Sequence, residues 1–259
     1  MMAIPVGTRQ SRKPVLVCEG PAHPDLAPHV PDPASAAPAY ALRLFGLASP
    51  LRARATGVSA LEIDITAGEF LLIHGEAGSG KSQMLDLAGL VLRPGAGRLE
   101  ILGRNPWKLS AGGRARLRRR IGYIRQDLDL IENLSVEENA ALPMKIAGVR
   151  REVRRRDVAE LLGWLGLGEK AAVRPGDLDR DERQRLAVAR AVAGRPEIIL
   201  ADEPLGWLGP DAARRVLRLL LQLNRQGVTL MLASRNADLA PASRKLRLLA
   251  GQIVSEERS

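Results

Sequence analysis

The sequence predicts an α/β fold with a parallel-sheet core and an inserted helical subdomain. Three short, continuous apolar runs are typical of strands that are covered on both faces: residues 70–73, 198–201 and 228–233. Apolar residues at helical spacing follow the first run, over residues 82–92. Strands that alternate with helices in this way favour a parallel sheet.

A second helical region interrupts this alternation. The strand pattern disappears between residues 127 and 183, where helices are predicted over residues 136–147 and 151–165. We therefore predict a nucleotide-binding core of residues 40–126 and 184–259, with residues 127–183 forming the helical subdomain.

The N-terminal segment has a different composition. Eight of the 17 prolines fall within the first 38 residues, among Ala, Ser and Gly, without apolar periodicity. Such a segment buries too little apolar surface to offset the entropy of ordering it. Residues 1–39 are therefore predicted to be a largely disordered tail, and the folded body is predicted to begin near Tyr40.

Composition limits the class of protein. The 259 residues are 46% apolar and contain no apolar run of the roughly 18 residues that a membrane-spanning helix needs. The single cysteine, Cys18, excludes an internal disulfide and fits a reducing cytoplasm.

The net charge of +10 comes mostly from arginine runs in residues 114–120 and 150–156, which favour solvated helix faces. An anionic membrane surface or an acidic partner is the alternative. With 3% aromatic residues, no nucleic acid partner is expected.

A phosphate-binding loop follows the first predicted strand. The segment Gly-Glu-Ala-Gly-Ser-Gly-Lys-Ser matches the motif G-x-x-x-x-G-K-[ST] between a strand and a helix, which is the context that the motif requires. Glycines let backbone N–H groups turn toward the phosphates, and the helix N-terminus adds partial positive charge. The predicted nucleotide-binding residues are Gly75, Gly78, Ser79, Gly80, Lys81 and Ser82.

The second predicted strand ends in two carboxylates, Asp202 and Glu203. A carboxylate at this place can hold Mg²⁺ through water, and its neighbour can polarise an attacking water. With the Ser82 hydroxyl as a further metal ligand, the sequence predicts binding of ATP with Mg²⁺.

Together these elements resemble the ATPase subunits of ABC transporters, over about residues 41–259. Gln126 occupies the place of the family's glutamine that joins the core to the helical subdomain and contacts Mg²⁺. Residues 184–191 resemble the helix after the family's signature loop. The resemblance implies a P-loop NTPase of the ABC type, with Lys81 and Glu203 catalytic and with Mg²⁺ held by Ser82, Gln126 and Asp202.

Within the family, residues 137–144 and 224–229 resemble the branch of the cell-division ATPase FtsE, to which the lipoprotein-releasing and macrolide-export ATPases are close. This resemblance implies a dimer of nucleotide-binding domains, formed with a second copy or with a different chain. It also implies an FtsX-like polytopic membrane partner that docks after Gln126 near residues 130–134. The location implied is the inner face of the cell membrane.

The chain departs from the family at the signature loop. Where the family has Leu-Ser-Gly-Gly-Glu, this sequence has Leu-Asp-Arg-Asp-Glu, which introduces Asp179, Arg180 and Asp181. We expect the two new carboxylates to face the triphosphate, at a cost of roughly 3 kcal/mol for each pair of like charges about 5 Å apart. Arg180 could offset part of this repulsion or reach the phosphate itself.

Three further positions differ. Arg235 stands where the family has its switch histidine, and all three histidines of the chain precede Lys81. An arginine cannot relay a proton near neutral pH. Gly209 replaces the aspartate that ends the loop after the acidic pair. The family has an aromatic residue that stacks on adenine, and the resemblance places Leu51 at its position. Tyr40 and Phe45 lie nearby in the sequence, and a shifted register would let one of them stack instead.

These departures leave three hypotheses. The first is ATP binding with weak or absent hydrolysis, since the loss of one well-placed catalytic group commonly costs about 10²–10³ in rate. The second is a working ATPase of the lipoprotein-release or export type, in which Arg180 and Arg235 compensate. The third, suggested only by positive charge, is a P-loop protein that acts on DNA.

Overall fold

A computed structural model describes residues 39–50 and 57–258. Residues 1–38 of the predicted tail and Leu51 lie outside the described residues. In chain order the strands are β1 (Tyr40–Ala48), β2 (Leu61–Thr66), β3 (Phe70–His74), β4 (Ala96–Ile101), β5 (Ile121–Ile124), β6 (Ile198–Asp202), β7 (Thr229–Ser234), β8 (Arg244–Leu249) and β9 (Gln252–Arg258). The α-helices are α1 (Lys81–Ala88), α2 (Ala111–Arg118), α3 (Val136–Ile146), α4 (Arg151–Trp164), α5 (Arg180–Ala193) and α6 (Pro210–Arg225).

The larger sheet has six strands in the order β5-β6-β7-β3-β8-β9. All neighbours in it are parallel except β8 and β9, which form an antiparallel hairpin at one edge. The predicted α/β fold with a parallel-sheet core is therefore confirmed. Residues 127–183 contain α3 and α4 and, among the described residues, no strand.

The three central strands of this sheet are buried on both faces. Every residue of β6 and β7 is buried. Along β3, Leu72 packs into the core beneath α5 and α6, while Leu71 packs into the core shared with α1 and the smaller sheet. This double burial explains why these strands are continuous apolar runs and why they could be recognised in the sequence.

A second, antiparallel sheet of β2, β1 and β4 covers one face of the larger sheet. It was not part of the prediction. Its strand β2 alternates buried and less buried residues, and its polar face carries the ion pair between Arg43 and Asp64, 3.0 Å apart. A strand with one solvent-exposed face has a short, alternating sequence pattern, which is a weaker signal for a strand than an unbroken apolar run.

Helix α1 ends earlier than the predicted helix over residues 82–92. Gly89 is its C-cap, and no larger residue fits there because a Cβ would lie 2.8 Å from the ring of Tyr123. Leu90 then adopts a left-handed φ of 59°, and the N–H groups of Val91 and Leu92 both return to the carbonyl of Asp86. The apolar spacing continues past the helix because the closing turn packs against the same core.

Helix α6 is the longest described helix, with 16 residues. Pro210 occupies its first turn, where the missing N–H costs nothing, and a buried apolar stripe runs along it. Within the described parts of the chain, no helix combines the length and the apolar character needed to cross a membrane.

Helix α3 begins with a capping box, in which Ser135 accepts from the N–H of Glu138 and the Glu138 carboxylate accepts from the N–H of Ser135. One turn further, Asn139 is fully buried and makes four hydrogen bonds. Its Oδ1 accepts from the N–H of Ile131 at 2.9 Å, and its Nδ2 donates to the carbonyls of Ile131, Leu134 and Ser135 at 2.9–3.1 Å. This side chain therefore shapes the connection from the core into α3.

We predict that Asn139→Ala lowers the free energy of unfolding by about 2–3 kcal/mol, because it removes four hydrogen bonds of a fully buried side chain and leaves its space unfilled. Urea unfolding followed by circular dichroism measures the change. Lys145→Ala, an exposed change in the same helix, is the control and should stay within about 0.5 kcal/mol. Equal midpoints for the two variants would contradict this role for Asn139.

Candidate nucleotide-binding site

The phosphate loop connects β3 to α1 at the carboxyl edge of the larger sheet. Gly75 opens it with a φ of 153°, and a Cβ there would lie 2.3 Å from the carbonyl oxygen of Leu248, so that no other residue fits. Gly78 and Gly80 also have left-handed φ angles, of 77° and 102°. The loop folds over Ser79, which is buried. These residues therefore form the turn that the sequence predicts around a phosphate group.

Lys81 lies in the mouth of this loop and is only 7% exposed. Its Nζ donates to the carbonyls of Gly75 and Glu76 at 2.7 and 2.9 Å. Burial lowers the pKa of Lys81, and the nearby carboxylates of Glu203 and Asp202 oppose this effect. A phosphate group can replace the two carbonyls as the acceptor of this ammonium group, with stronger, charge-assisted hydrogen bonds.

Asp202 ends β6 directly beside the start of α1. It is 3% exposed, its carboxylate accepts a hydrogen bond from the Ser82 side chain, and its Oδ1 is buried without a partner. Burial raises the pKa of Asp202 above the ordinary range of an aspartate. A buried carboxylate oxygen with no donor is ready to accept a cation or a metal-bound water.

The predicted metal ligands share one cavity of about 400 Å³. It is lined by Ser82, Asp86, Tyr123, Arg125, Gln126, Asp127 and Asp202. A hydroxyl, a carboxylate and an amide oxygen are the donors that Mg²⁺ prefers, so the residues present fit this ion. Bound Mg²⁺ would neutralise phosphate charge here, with Ser82, Gln126 and Asp202 as the residues that would hold it.

Four residues of this cavity were not singled out in the sequence: Asp86, Tyr123, Arg125 and Asp127. The Tyr123 hydroxyl donates to Asp86 Oδ1 at 3.0 Å, and the Arg125 Nε lies 3.7 Å from the same oxygen. Arg125 also donates to Asp129 at 2.7 Å, beyond Gln126. Burial and the Asp86 charge raise the pKa of Tyr123, which therefore stays protonated as a donor. Asp86 lies four residues after Ser82 in α1, and this helical spacing was the available signal.

Glu203 follows Asp202 with a left-handed φ of 46°, a strained conformation for a residue with a Cβ. Its N–H donates to the carbonyl of Ala233 at 2.9 Å, which fixes it against the end of β7. Its carboxylate lies 3.7 Å from the Arg235 Nε and 3.4 Å from the Ser234 hydroxyl. A carboxylate paired with a guanidinium group has less capacity to accept a hydrogen bond from an attacking water.

The altered signature residues lie at the start of α5. Asp179 caps α5 and accepts from the N–H of Glu182 at 2.8 Å. Asp181 accepts from the N–H of Gly209 at 3.0 Å, and the guanidinium carbon of Arg180 lies 3.1 Å from the centroid of the Trp207 ring. Both carboxylates thus have partners within the chain, because helix N–H groups and nearby cations bind them locally.

The candidate aromatic residues are covered by arginines. Tyr40 and Phe45 lie in β1, where the guanidinium carbon of Arg43 is 4.8 and 4.9 Å from their ring centroids. Arg98 lies 4.3 Å from the Phe45 centroid on the other strand of the pair. Each ring therefore makes a cation–π contact within the smaller sheet.

Comparison with known proteins assigns this geometry to a family. Residues 58–206 match the family model described as ABC transporter. The chain belongs to the ABC transporter family. It is an ABC transporter ATP-binding domain with the fold of a P-loop NTPase.

The similar curated proteins include lipoprotein-releasing and macrolide-export ATPases. The ABC domain is 39% identical over 197 residues to the lipoprotein-releasing system ATP-binding protein LolD 1 of Rhodospirillum rubrum, which covers 75% of this chain and 87% of that protein. It is 41% identical over 182 residues to LolD 2 of Caulobacter vibrioides, covering 70% of this chain and 80% of that protein. The match to the macrolide export ATP-binding/permease protein MacB of Hyphomonas neptunium is 39% identical over 206 residues, 78% of this chain and 32% of that longer protein.

Among solved structures, the chain is similar to the ATP-binding cassette MJ0796, described as a dimer in a post-hydrolysis state bound to ADP and Pi. The TM-score is 0.77 at 30% identity, and the superposition covers 84% of this chain and 98% of the other. The antiparallel sheet and the helical insert are therefore features of a known cassette fold.

We predict that Lys81→Ala weakens Mg-ATP binding at least 100-fold, because the ammonium group is the one cation buried in the loop among the described residues. Isothermal titration calorimetry with Mg-ATP measures the dissociation constant. Reversing the charge of Arg150 and Arg151, at the start of α4, is the control and should leave the affinity unchanged. Unchanged affinity in Lys81→Ala would overturn the site, and a large loss in the control would show that α4 shapes it.

We predict that Asp202→Asn makes the ligand-free protein more stable at pH 7 by about 1–2 kcal/mol, since it removes a buried charge with an unpartnered oxygen. A raised folded-state pKa means that the native state binds the proton more tightly, so the Asp202 contribution to stability is lost as pH rises from the unfolded value through the folded value. The same variant should gain less thermal stability from Mg-ATP than the wild type.

Thermal unfolding with and without Mg-ATP tests both parts. Asp238→Asn, whose side chain is 90% exposed, is the matched control and should change neither value. If the ligand-free Asp202→Asn variant melted below the wild type, the unpartnered Asp202 charge would not destabilise the ligand-free fold, and the prediction would be wrong.

Proposed function

We propose that this ABC domain is an ATP-binding subunit that couples nucleotide binding to an integral membrane partner, with slow or absent hydrolysis. ATP binding is supported by the intact phosphate loop, the buried Lys81 and the unpartnered Asp202 oxygen beside Ser82. Mg²⁺ is the metal that the donors Ser82, Gln126 and Asp202 suit best.

Slow turnover is supported most directly by the start of α5. A helix N-terminus binds a phosphate through free N–H groups. Here the N–H of Glu182 already donates to Asp179, and the carboxylates of Asp179 and Asp181 add two negative charges in the first turn. A triphosphate from a neighbouring subunit would meet this acidic, self-capped turn instead of free donors.

The second support is the surroundings of Glu203. In this site Arg235 contacts the carboxylate that would polarise water, and a guanidinium group cannot take up the proton that such a step releases. Losses of this kind commonly reduce the rate by about 10²–10³ each. We therefore expect ATP binding, and not ATP hydrolysis, to be the step that the chain couples to its membrane partner.

The membrane partner would dock on the helical subdomain, which we assign to residues 127–183 between the two parts of the core. A groove of about 640 Å³ opens there between α3 and α4, starting at Leu134. The relatives LolD and MacB support a partner of the lipoprotein-release or export type on the inner face of the cell membrane. An FtsX-like permease and a role in cell division remain a narrower prediction, based on residues 137–144 and 224–229.

Two alternatives differ in what they require. A fully active ATPase needs Arg180 and Arg235 to hold phosphate, but Arg180 stacks on Trp207 and Arg235 lies against Glu203. A DNA-associated protein needs a nucleic acid surface, for which only the net charge of +10 argues.

The deciding experiment is phosphate release from Mg-ATP by the chain coexpressed with its membrane partner, with Glu203→Gln as the blank. We expect the wild type to stay within about twofold of the blank while it still binds ATP. A variant with Asp179→Ser, Arg180→Gly, Asp181→Gly, Gly209→Asp and Arg235→His should release phosphate at least 100-fold faster. Wild-type release well above the blank would establish a working motor, and copurification with nucleic acid instead of membranes would favour the DNA alternative.

A further inference from the structure

Three of the residues that depart from the family pattern, Arg180, Asp181 and Gly209, lie in two turns that contact each other. One turn is the start of α5, with Arg180 and Asp181. The other is the loop between Glu203 and α6, with Trp207 and Gly209. Arg180 stacks on the Trp207 ring at 3.1 Å, and Asp181 Oδ2 accepts from the Gly209 N–H at 3.0 Å. Arg180 and Asp181 of the first turn thus each contact a residue of the second turn.

Asp181 is itself held from the other side. Its Oδ1 accepts from the Arg185 Nε at 2.5 Å, one helical turn along α5. The Arg185 Nη1 donates to the carbonyls of Leu165 and Gly166 at the end of α4, at 2.8 and 3.1 Å. The Arg185 side chain is 12% exposed, so this ion pair is poorly screened by solvent. We name the residues Arg180, Asp181, Arg185, Trp207 and Gly209 the clasp.

The clasp fixes the far end of the loop that begins at Glu203. The near end is fixed by Gln184, which is buried and donates to the carbonyl of Pro204 at 3.0 Å. Between the two ends, the N–H of Gly206 returns to the carbonyl of Glu203, and the N–H of Leu208 returns to that of Leu205. Helix α5 therefore holds the whole loop, and with it the backbone of a strained Glu203.

We propose that Asp181 is a positioning residue for Glu203, acting through its hydrogen bond to the Gly209 N–H. The carboxylate that the loop lacks at Gly209 is supplied from α5, so the two departures form one compensating unit. A carboxylate at this place also faces the N-terminus of α6, where the helix dipole favours negative charge. The functional part of this inference rests on the proposed role of Glu203, whereas the clasp itself does not.

The geometry permits a reciprocal exchange of the two residues. Gly209 has a φ of −62°, which any residue adopts, and a Cβ there would lie 3.9 Å from Asp181 Oδ2. Gly209→Asp alone would place two carboxylates against each other. Combined with Asp181→Gly, it would return a single carboxylate to the same place, close to Arg185.

Hydrogen exchange of the full chain, read by mass spectrometry, tests the clasp without any need for turnover. We expect Asp181→Ala to speed exchange in residues 203–209 at least tenfold and to leave β6 unchanged. Asp181→Asn keeps an acceptor for the Gly209 N–H and should give a smaller effect. Asp177→Ala, which removes an exposed carboxylate four residues earlier, is the matched control and should leave the loop unchanged.

Swapping the residues at positions 181 and 209 provides the second test. Gly209→Asp alone should lower the melting temperature, and Asp181→Gly combined with Gly209→Asp should recover most of the loss and restore loop protection. Where the coexpressed complex releases phosphate above the blank, Asp181→Ala should lower kcat about tenfold with KM for Mg-ATP unchanged. The proposal would be overturned if hydrogen exchange of residues 203–209 in Asp181→Ala equalled that of the wild type. It would also be overturned if the changes in melting temperature of Asp181→Gly and Gly209→Asp simply added in the double variant. A clasp confirmed by exchange in a chain that does not release phosphate would support the positioning of the Glu203 loop and would exclude a part for the clasp in turnover.

Discussion

The site depends on the double burial of β3, β6 and β7. Because these three strands are parallel and covered on both faces, the polar residues that follow them meet at the carboxyl edge of the sheet. This edge brings Lys81, the pair Asp202 and Glu203, and Arg235 together from distant parts of the sequence. No one of them would have a perturbed environment on its own.

The site stores free energy in groups that lack good partners. The Asp202 oxygen is buried without a donor, the Lys81 ammonium contacts only groups of its own loop, and Glu203 has a strained backbone. Each of these conditions destabilises the ligand-free fold slightly, and a bound cation at Asp202 or a bound anion at Lys81 would relieve the first two. The surrounding apolar core must therefore be well packed, and the described core residues on both sides of the sheet are almost entirely buried.

The structure also changes the meaning of the altered motifs. From the sequence, Asp179 and Asp181 are charges that repel a triphosphate. In three dimensions each already has donors: a helix N–H for Asp179, and an arginine with a loop N–H for Asp181. The first N–H groups of a helix have no acceptor within the helix, so carboxylates beside them readily accept their hydrogen bonds. Asp179 therefore caps α5, whereas Asp181 holds the loop after Glu203.

Much about this protein could be predicted from the sequence alone. Apolar runs and the glycine-rich motif determined the buried strands, the phosphate loop and the acidic pair, since these features depend on local periodicity and local turns. The antiparallel sheet, the end of α1 at Gly89 and the cavity residues Tyr123 and Arg125 were decided only by the tertiary structure. Their signals are short alternations or single polar residues that gain meaning from neighbours far away in the chain. The partnership of Asp181 with Gly209 belongs to this second group, because a hydrogen bond between residues 28 positions apart leaves no local pattern.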